Sequence, residues 1–311
     1  MSTKHLSQLP QLFRGPFLRK VAHGRYYKEL VERLERCGLT GLLTRPMSEI
    51  FESVYEILLN DYRCEYVYKN TLTQNWFLSR HSLENSYITD EFRIGENRVD
   101  LAVFGNRSIA FEIKTEFDST RRLRLQSTEY IKVFDEVYIV TSEILKPTIA
   151  RWIPKTVGIM ELRRSGRLTL IRESQSHGAR TDLDVVFRCL RRAEMVSIVE
   201  TITQSPINVP NSKIFTECKE KFRKLLPFEA HDHVLAQLRR RSYPSSSIAL
   251  MAEVPVALKH AALTLRATKR ETESLQKALS EPPKPQHKEK TLDDEHLLSI
   301  PERQEGGIVC A

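Results

Sequence analysis

The sequence predicts an α/β protein of the α+β kind, with strands among helices followed by a C-terminal region of helices alone. Three observations carry that expectation. Residues 98–116 read Arg98-Val-Asp-Leu-Ala-Val-Phe-Gly-Asn-Arg-Ser-Ile-Ala-Phe-Glu-Ile-Lys-Thr-Glu116, two alternating apolar runs about a Gly105-Asn106 turn signal, the pattern of a β-hairpin. The patterns around it follow the order helix, three strands, helix, strand. After residue 175 only helical apolar spacing remains.

The elements follow in order. Residues 1–45 form a basic extension with Arg14, Arg19, Lys20, Arg25 and Lys28. It is either an arm for a phosphate backbone or a solvated face over the core, the second being favoured. Val31–Arg36 suits a short helix ended by Gly38. Pro46 and Ser48 signal a helix start, and Ile50, Phe51, Val54, Tyr55 and Leu58 give it one apolar stripe. Residues 61–87, rich in aromatics (Tyr66, Tyr68, Trp76, Phe77), fit no single period. Tyr87–Ile94 reads as a strand and 95–97 as a turn into the hairpin. Residues 118–134 open on capping residues and lack Gly and Pro, which predicts a helix. Glu136–Thr141 is a short buried strand, and 158–162 with 167–171 make a second hairpin around Ser165-Gly166.

Helices are predicted over 183–201, 213–226, 229–241 and 256–279, with an interruption at 243–247. From Glu281 the proline-rich, charged composition predicts a disordered tail. The divisions expected are therefore 1–45, 46–175, 176–280 and 281–311.

The 311 residues suffice for one or two domains with a sizeable core. A formal charge of +8 and a pI near 9.2 suit an acidic partner, nucleic acid above all, and equally a merely basic surface. No run has the apolar length of a bilayer span, and the N-terminus lacks the apolar core of a signal peptide. Cys37, Cys64, Cys189, Cys218 and Cys310 include no C-x-x-C pair, so reduced thiols and a cytoplasmic location are expected. His231 and His233 are expected at the surface.

The chemistry lies in the hairpin. On its second strand Ile109, Phe111 and Ile113 share one face, and Glu112 and Lys114 the other. Asp100 interrupts the first strand in the same way. Charges in such apolar strands are costly to bury without a use. The set Asp100…Glu112-x-Lys114 resembles the core of the PD-(D/E)XK nuclease superfamily. Gln126-x-x-x-Tyr130, two residues a helical turn apart, resembles its RecB-like branch. The spacing Asp118…Arg122-Leu123-x-x-Gln126…Tyr130…Phe134-Asp135 is similar to a little-characterised family of bacterial nuclease-like proteins with a C-terminal helical region. The resemblance covers roughly residues 85–245, and the basic extension has no counterpart in it.

That resemblance implies a restriction-endonuclease-like αβββαβ core and a metal-dependent nuclease acting on phosphodiester bonds, in DNA first, with a role in defence, restriction or repair. Asp100 and Glu112 would hold Mg²⁺ or Mn²⁺, with Glu91 as a further ligand. Lys114 would orient the attacking water or stabilise the oxyanion. Gln126 would position the lysine or the nucleic acid. Arg121, Arg122, Arg124 and Tyr130 would meet nucleic acid. The alternative is a catalytically inactive nuclease-fold protein that binds nucleic acid or a partner. A homo-oligomer stays open.

One register follows from this expectation. A two-residue turn at Gly105-Asn106 would pair Phe104 with Arg107 and put Asp100 and Glu112 on opposite faces. A shared metal demands an odd-length loop or a bulge instead, with Asp100 opposite Glu112.

Overall fold

A computed structural model describes residues 3–178, 181–241 and 243–285. Its centre is a six-stranded mixed sheet in the order β1-β2-β3-β4-β5-β6. The strands are β1 (Tyr87–Ile94), β2 (Asn97–Phe104), β3 (Ser108–Lys114), β4 (Glu136–Thr141), β5 (Gly158–Leu162) and β6 (Leu168–Arg172). The first three are antiparallel, β3, β4 and β5 are parallel, and β6 returns antiparallel to β5. β3 and β4 are buried on both faces because helices cover both, and parallel pairing needs such cover.

The hairpin closes through a three-residue loop. Phe104 pairs with Ser108 and Leu101 with Phe111, and one step further along this register stands Asp100 opposite Glu112. The odd-length loop required of a shared site is therefore present. Gly105 keeps a negative φ and is glycine for another reason: a Cβ there would stand 2.9 Å from His81 Nδ1 and 3.0 Å from Ser86 Oγ.

The helices before the sheet are α1 (Thr3–Leu6), α2 (Gly15–Ala22), α3 (Tyr27–Arg36), α4 (Met47–Asp61) and α5 (Glu65–Leu72), the last continued by a π-helical turn over Thr73–Phe77. That turn is why 61–87 shows no clean helical period. Residues 3–45 carry basic charge outward but bury Leu9, Phe13, Phe17, Leu18, Leu30 and Leu34 in the common core. They cover the core. Arg19 fixes α2 to the C-terminal helices through Glu271 at 2.7 Å and the Leu265 carbonyl at 2.8 Å.

Within the sheet region, α6 (Leu123–Tyr130) joins β3 to β4, and α7 (Lys146–Trp152) joins β4 to β5. The helix expected from residue 118 starts only at Leu123. Asp118 Oδ2 accepts from the Thr115 amide and hydroxyl, both at 2.8 Å, and so holds a turn after β3 instead of capping a helix.

The C-terminal region is helical, as expected, but in shorter pieces: α8 (Leu183–Arg188), α9 (Arg192–Thr203), α10 (Ile214–Phe222), α11 (Pro227–Arg239), α12 (Ser245–Glu253), α13 (Lys259–Leu265) and α14 (Lys269–Leu279). The expected helix over 183–201 breaks between α8 and α9. The one over 256–279 breaks at Arg266, whose φ of 49° ends α13. The interruption at 243–247 opens α12 after Pro244, a residue suited to a helix start. The tail expected over 281–311 lies almost wholly outside the described residues. No helix among the described residues is long and apolar enough to cross a membrane.

Candidate active site

The end of the hairpin where β2 and β3 part gathers the expected residues. Asp100 Oδ2 accepts the Ile113 amide at 2.6 Å, replacing a ladder partner at the last turn of the pairing. Glu112 is 1% exposed. Its Oε1 takes Lys114 Nζ at 2.7 Å, and its Oε2 faces the Tyr130 hydroxyl at 2.9 Å. The same hydroxyl lies 2.8 Å from the Arg98 carbonyl oxygen. One hydroxyl proton cannot fully serve two acceptors at once.

Gln126, one turn before Tyr130 on α6, lies close enough to Glu112 and Tyr130 to lower the pKa of each. Its buried Oε1 has no hydrogen-bond partner among the described residues. Tyr130 is fully buried, so the expectation that it meets nucleic acid is corrected: its ring is core and its hydroxyl positions Glu112. Arg121 and Arg122, just before α6, and Arg124 in its first turn are exposed.

Electrostatics set this end of the sheet apart. Burial, and then the charge of Glu112, push the Asp100 carboxyl well above the usual carboxylate range. Burial also raises Glu112, against the pull of Lys114. Burial works against the charge on Lys114, but Glu112 beside it outweighs that and the amine is raised. Lys114 therefore stays an ammonium at neutral pH.

Glu91 stands across from Asp100 in the β1–β2 register, between the pairs Asp90↔Leu101 and Phe92↔Val99. Its φ is 51°, in the left-handed region that costs a non-glycine residue about 1–2 kcal/mol. One carboxylate oxygen each from Glu91, Asp100 and Glu65 lie within 4.8 Å of one another. Among the described residues these three are the ones whose carboxylates lie close enough to hold a metal ion, with Glu112 outside the mutually close set.

Glu65 escaped sequence reasoning because it lies in the stretch of mixed period. The signal that could have found it is Glu65-x-x-x-Lys69, an i,i+4 pair leading an aromatic run. Lys69 Nζ lies 2.6 Å from Glu65 Oε1 and 3.6 Å from Glu91 Oε1. Burial works against its charge, yet Asp90 and Glu65 outweigh it and the amine is raised. Asp90 in turn pairs with His260 of α13 at 3.0 Å. A cleft of about 640 Å³ opens beside this cluster, bounded by Glu65, Lys69, Glu91, His260 and, from the N-terminal segment, Gln11 and Arg14.

A second polar cluster occupies the other end of β3. Asp135 Oδ2 accepts from the Ser108 amide at 2.8 Å, the Ser108 hydroxyl at 3.0 Å and His231 Nε2 at 2.8 Å. His231 Nδ1 faces Thr181 Oγ1 at 3.2 Å. His231, expected at the surface, is buried because it ties α11 to the sheet. Ser108 and Asp135 both face the same nitrogen of His231, so no serine–histidine–aspartate relay is formed.

The chain belongs to the family described as bacteriophage P4 protein cII: that family's model matches residues 59–266, more than half of the chain. Protein cII of Enterobacteria phage P4 is 29% identical to it over 90 residues, which is 28% of this chain and 34% of that protein. The chain thus matches about a third of the length of that curated relative. No solved structure matches the chain. The matched span contains Glu65, Glu91, Asp100, Glu112, Lys114, Gln126, Tyr130 and His260.

Proposed function

We propose that this protein is a metal-dependent nuclease of the PD-(D/E)XK kind that hydrolyses phosphodiester bonds, DNA being the first substrate to test. The observation that carries the reading is the pairing of Asp100 and Glu112 across the hairpin with Lys114 2.7 Å from Glu112, inside an apolar sheet. The element order supports it, since a helix, three antiparallel strands, a crossover helix and a parallel strand are what a restriction-endonuclease-like core requires. So does the backbone strain at Glu91, because strained residues persist where surroundings enforce them, often at functional sites.

The donor set suits a hard divalent cation such as Mg²⁺ or Mn²⁺. Glu65, Glu91 and Asp100 converge with carboxylate oxygens, and the buried Gln126 Oε1 still lacks a hydrogen-bond donor. Bound there, the ion would acidify a water and neutralise charge on the phosphate. The chain's own groups do the remainder. Asp100 and Glu112 supply the negative charge that retains the cation. Lys114, held protonated by Glu112, faces the charge that develops on the phosphate oxygens. Tyr130 and Gln126 keep Glu112 in place. Arg121, Arg122 and Arg124 would meet the flanking phosphates.

One observation favours a second reading, a non-catalytic nuclease-fold module that binds nucleic acid. Lys69 sits in the acidic cluster at 2.6 Å from Glu65, where an ammonium supplies part of the countercharge a cation would bring. The test is a cleavage assay on plasmid DNA, short DNA and RNA with Mg²⁺, Mn²⁺, Ca²⁺ or chelator. Cutting with Mg²⁺ or Mn²⁺, lost with chelator and weak with Ca²⁺, is expected. Nucleic-acid binding without cutting under all conditions would replace the enzyme with the binding module.

A further inference from the structure

The helical region holds a second charged concavity, of about 360 Å³, remote in sequence from the hairpin. Arg191, Arg240, Arg241 and Arg266 border it with a single carboxylate, Glu194. Glu194 is already engaged: Arg241 meets it with two hydrogen bonds of 2.7 Å, and the Arg191 amide gives a third at 2.7 Å. Arg191, Arg240 and Arg266 therefore leave an excess of positive charge around one hollow. Guanidinium groups so placed repel one another, and their planar donor forks match phosphate oxygens.

Arg266 adds a second sign. It ends α13 at φ 49°, a place where glycine is the usual choice. Its guanidinium lies 5.8 Å from the centre of the Tyr87 ring and donates to the Tyr87 hydroxyl. The side chain is thus held along β1, the edge strand of the sheet.

The hollows adjoin one another. The cleft beside the acidic cluster shares Asp90 and Thr264 with a groove of about 270 Å³ along Tyr87–Asp90, and that groove shares Arg266 with the arginine pocket. The geometry points to the arginine pocket as the site for a backbone phosphate of a nucleic-acid strand that runs along the edge of β1 into the cleft. The identity of the strand rests on the nucleic-acid reading above; the pocket's preference for phosphate does not.

The test uses the full chain without divalent metal and reads anisotropy of labelled single-stranded and duplex DNA across a salt series. Arg191→Gln/Arg240→Gln alters two exposed side chains outside the acidic cluster. It should flatten the logarithmic salt slope by roughly 0.7 per lost contact on single strands and about 0.9 on duplex, alike for all sequences. Arg191→Lys/Arg240→Lys should restore most of the slope. An unchanged slope in the glutamine variant overturns the assignment. So does arginine-dependent binding of inorganic phosphate with an unchanged DNA slope, which would make the pocket a site for the free anion. Cleavage plays no part in this readout. An arginine-dependent slope without cutting would sink the nuclease reading alone, and cutting with an unchanged slope would sink the pocket alone.

Discussion

Two buried polar clusters sit at opposite ends of β3, and they solve the problem of buried charge in opposite ways. At Ser108 one carboxylate, Asp135, receives three hydrogen bonds. Burial works against its charge, but His231 and Ser108 outweigh burial and hold it below the usual range. At the other end Asp100 stands opposite Glu112: burial and then the charge of Glu112 push Asp100 up, and burial raises Glu112 against the pull of Lys114. The first cluster is complete in itself and fastens α11 to the sheet. The second gathers carboxylate oxygens of Glu65, Glu91 and Asp100 within 4.8 Å and leaves the Gln126 oxygen without a hydrogen-bond partner among the described residues, features that suit a bound cation and its waters.

The comparison can be broken first by activity. Lys114→Ala should leave metal and DNA binding near those of the parent while lowering turnover by about 10²–10³-fold, because its ammonium acts on charge present only in the transition state. Single-turnover cleavage at equal folded fraction checks it. Equal rates for variant and parent would remove Lys114 from the chemistry.

Stability should separate the clusters next. Asp135→Ala strips three donors of their acceptor in a buried place and should cost about 3 kcal/mol or more. Asp100→Asn removes a buried carboxylate whose charge is disfavoured and should be neutral or stabilising without metal. Denaturant unfolding in chelator measures both. A similar loss in the two variants would mean the clusters do the same structural work.

The smallest effect is in pH. Asp100 and Glu112 have raised folded values, so the folded state binds protons more tightly there. Stability of the metal-free protein should rise as pH falls through those values toward the ordinary 3.8 and 4.5. Asp135 is lowered, so its contribution is present above the ordinary 3.8 and is lost as pH falls below it. Asp100→Asn should flatten the first limb and leave the second. A first limb unchanged in that variant would show that its carboxyl is not the titrating group.

Much of the site was legible because its constraints are local. A two-residue strand period placed Glu112 and Lys114 on one face, and the demand that Asp100 share it required the odd-length loop that Gly105–Arg107 provides. The Gly105-Asn106 pair alone pointed to the wrong turn, since Gly105 is small for His81 and Ser86 and not for a positive φ. Glu65 and Lys69 were not legible, because the π-turn after α5 blurs the helical period and their partners come from β1 and β2. The C-terminal helix breaks were missed for a related reason. Arg266 in a left-handed conformation carries no Gly or Asn signal, and tertiary contacts hold it there.

The most direct test of the central claim is Mn²⁺ binding, followed by calorimetry on the parent and on Asp100→Asn. The parent should bind Mn²⁺ and the variant should not, with circular dichroism showing both folded. A folded parent that binds no Mn²⁺, or a variant that binds it as tightly as the parent, would contradict the assignment of this acidic cluster as a metal site.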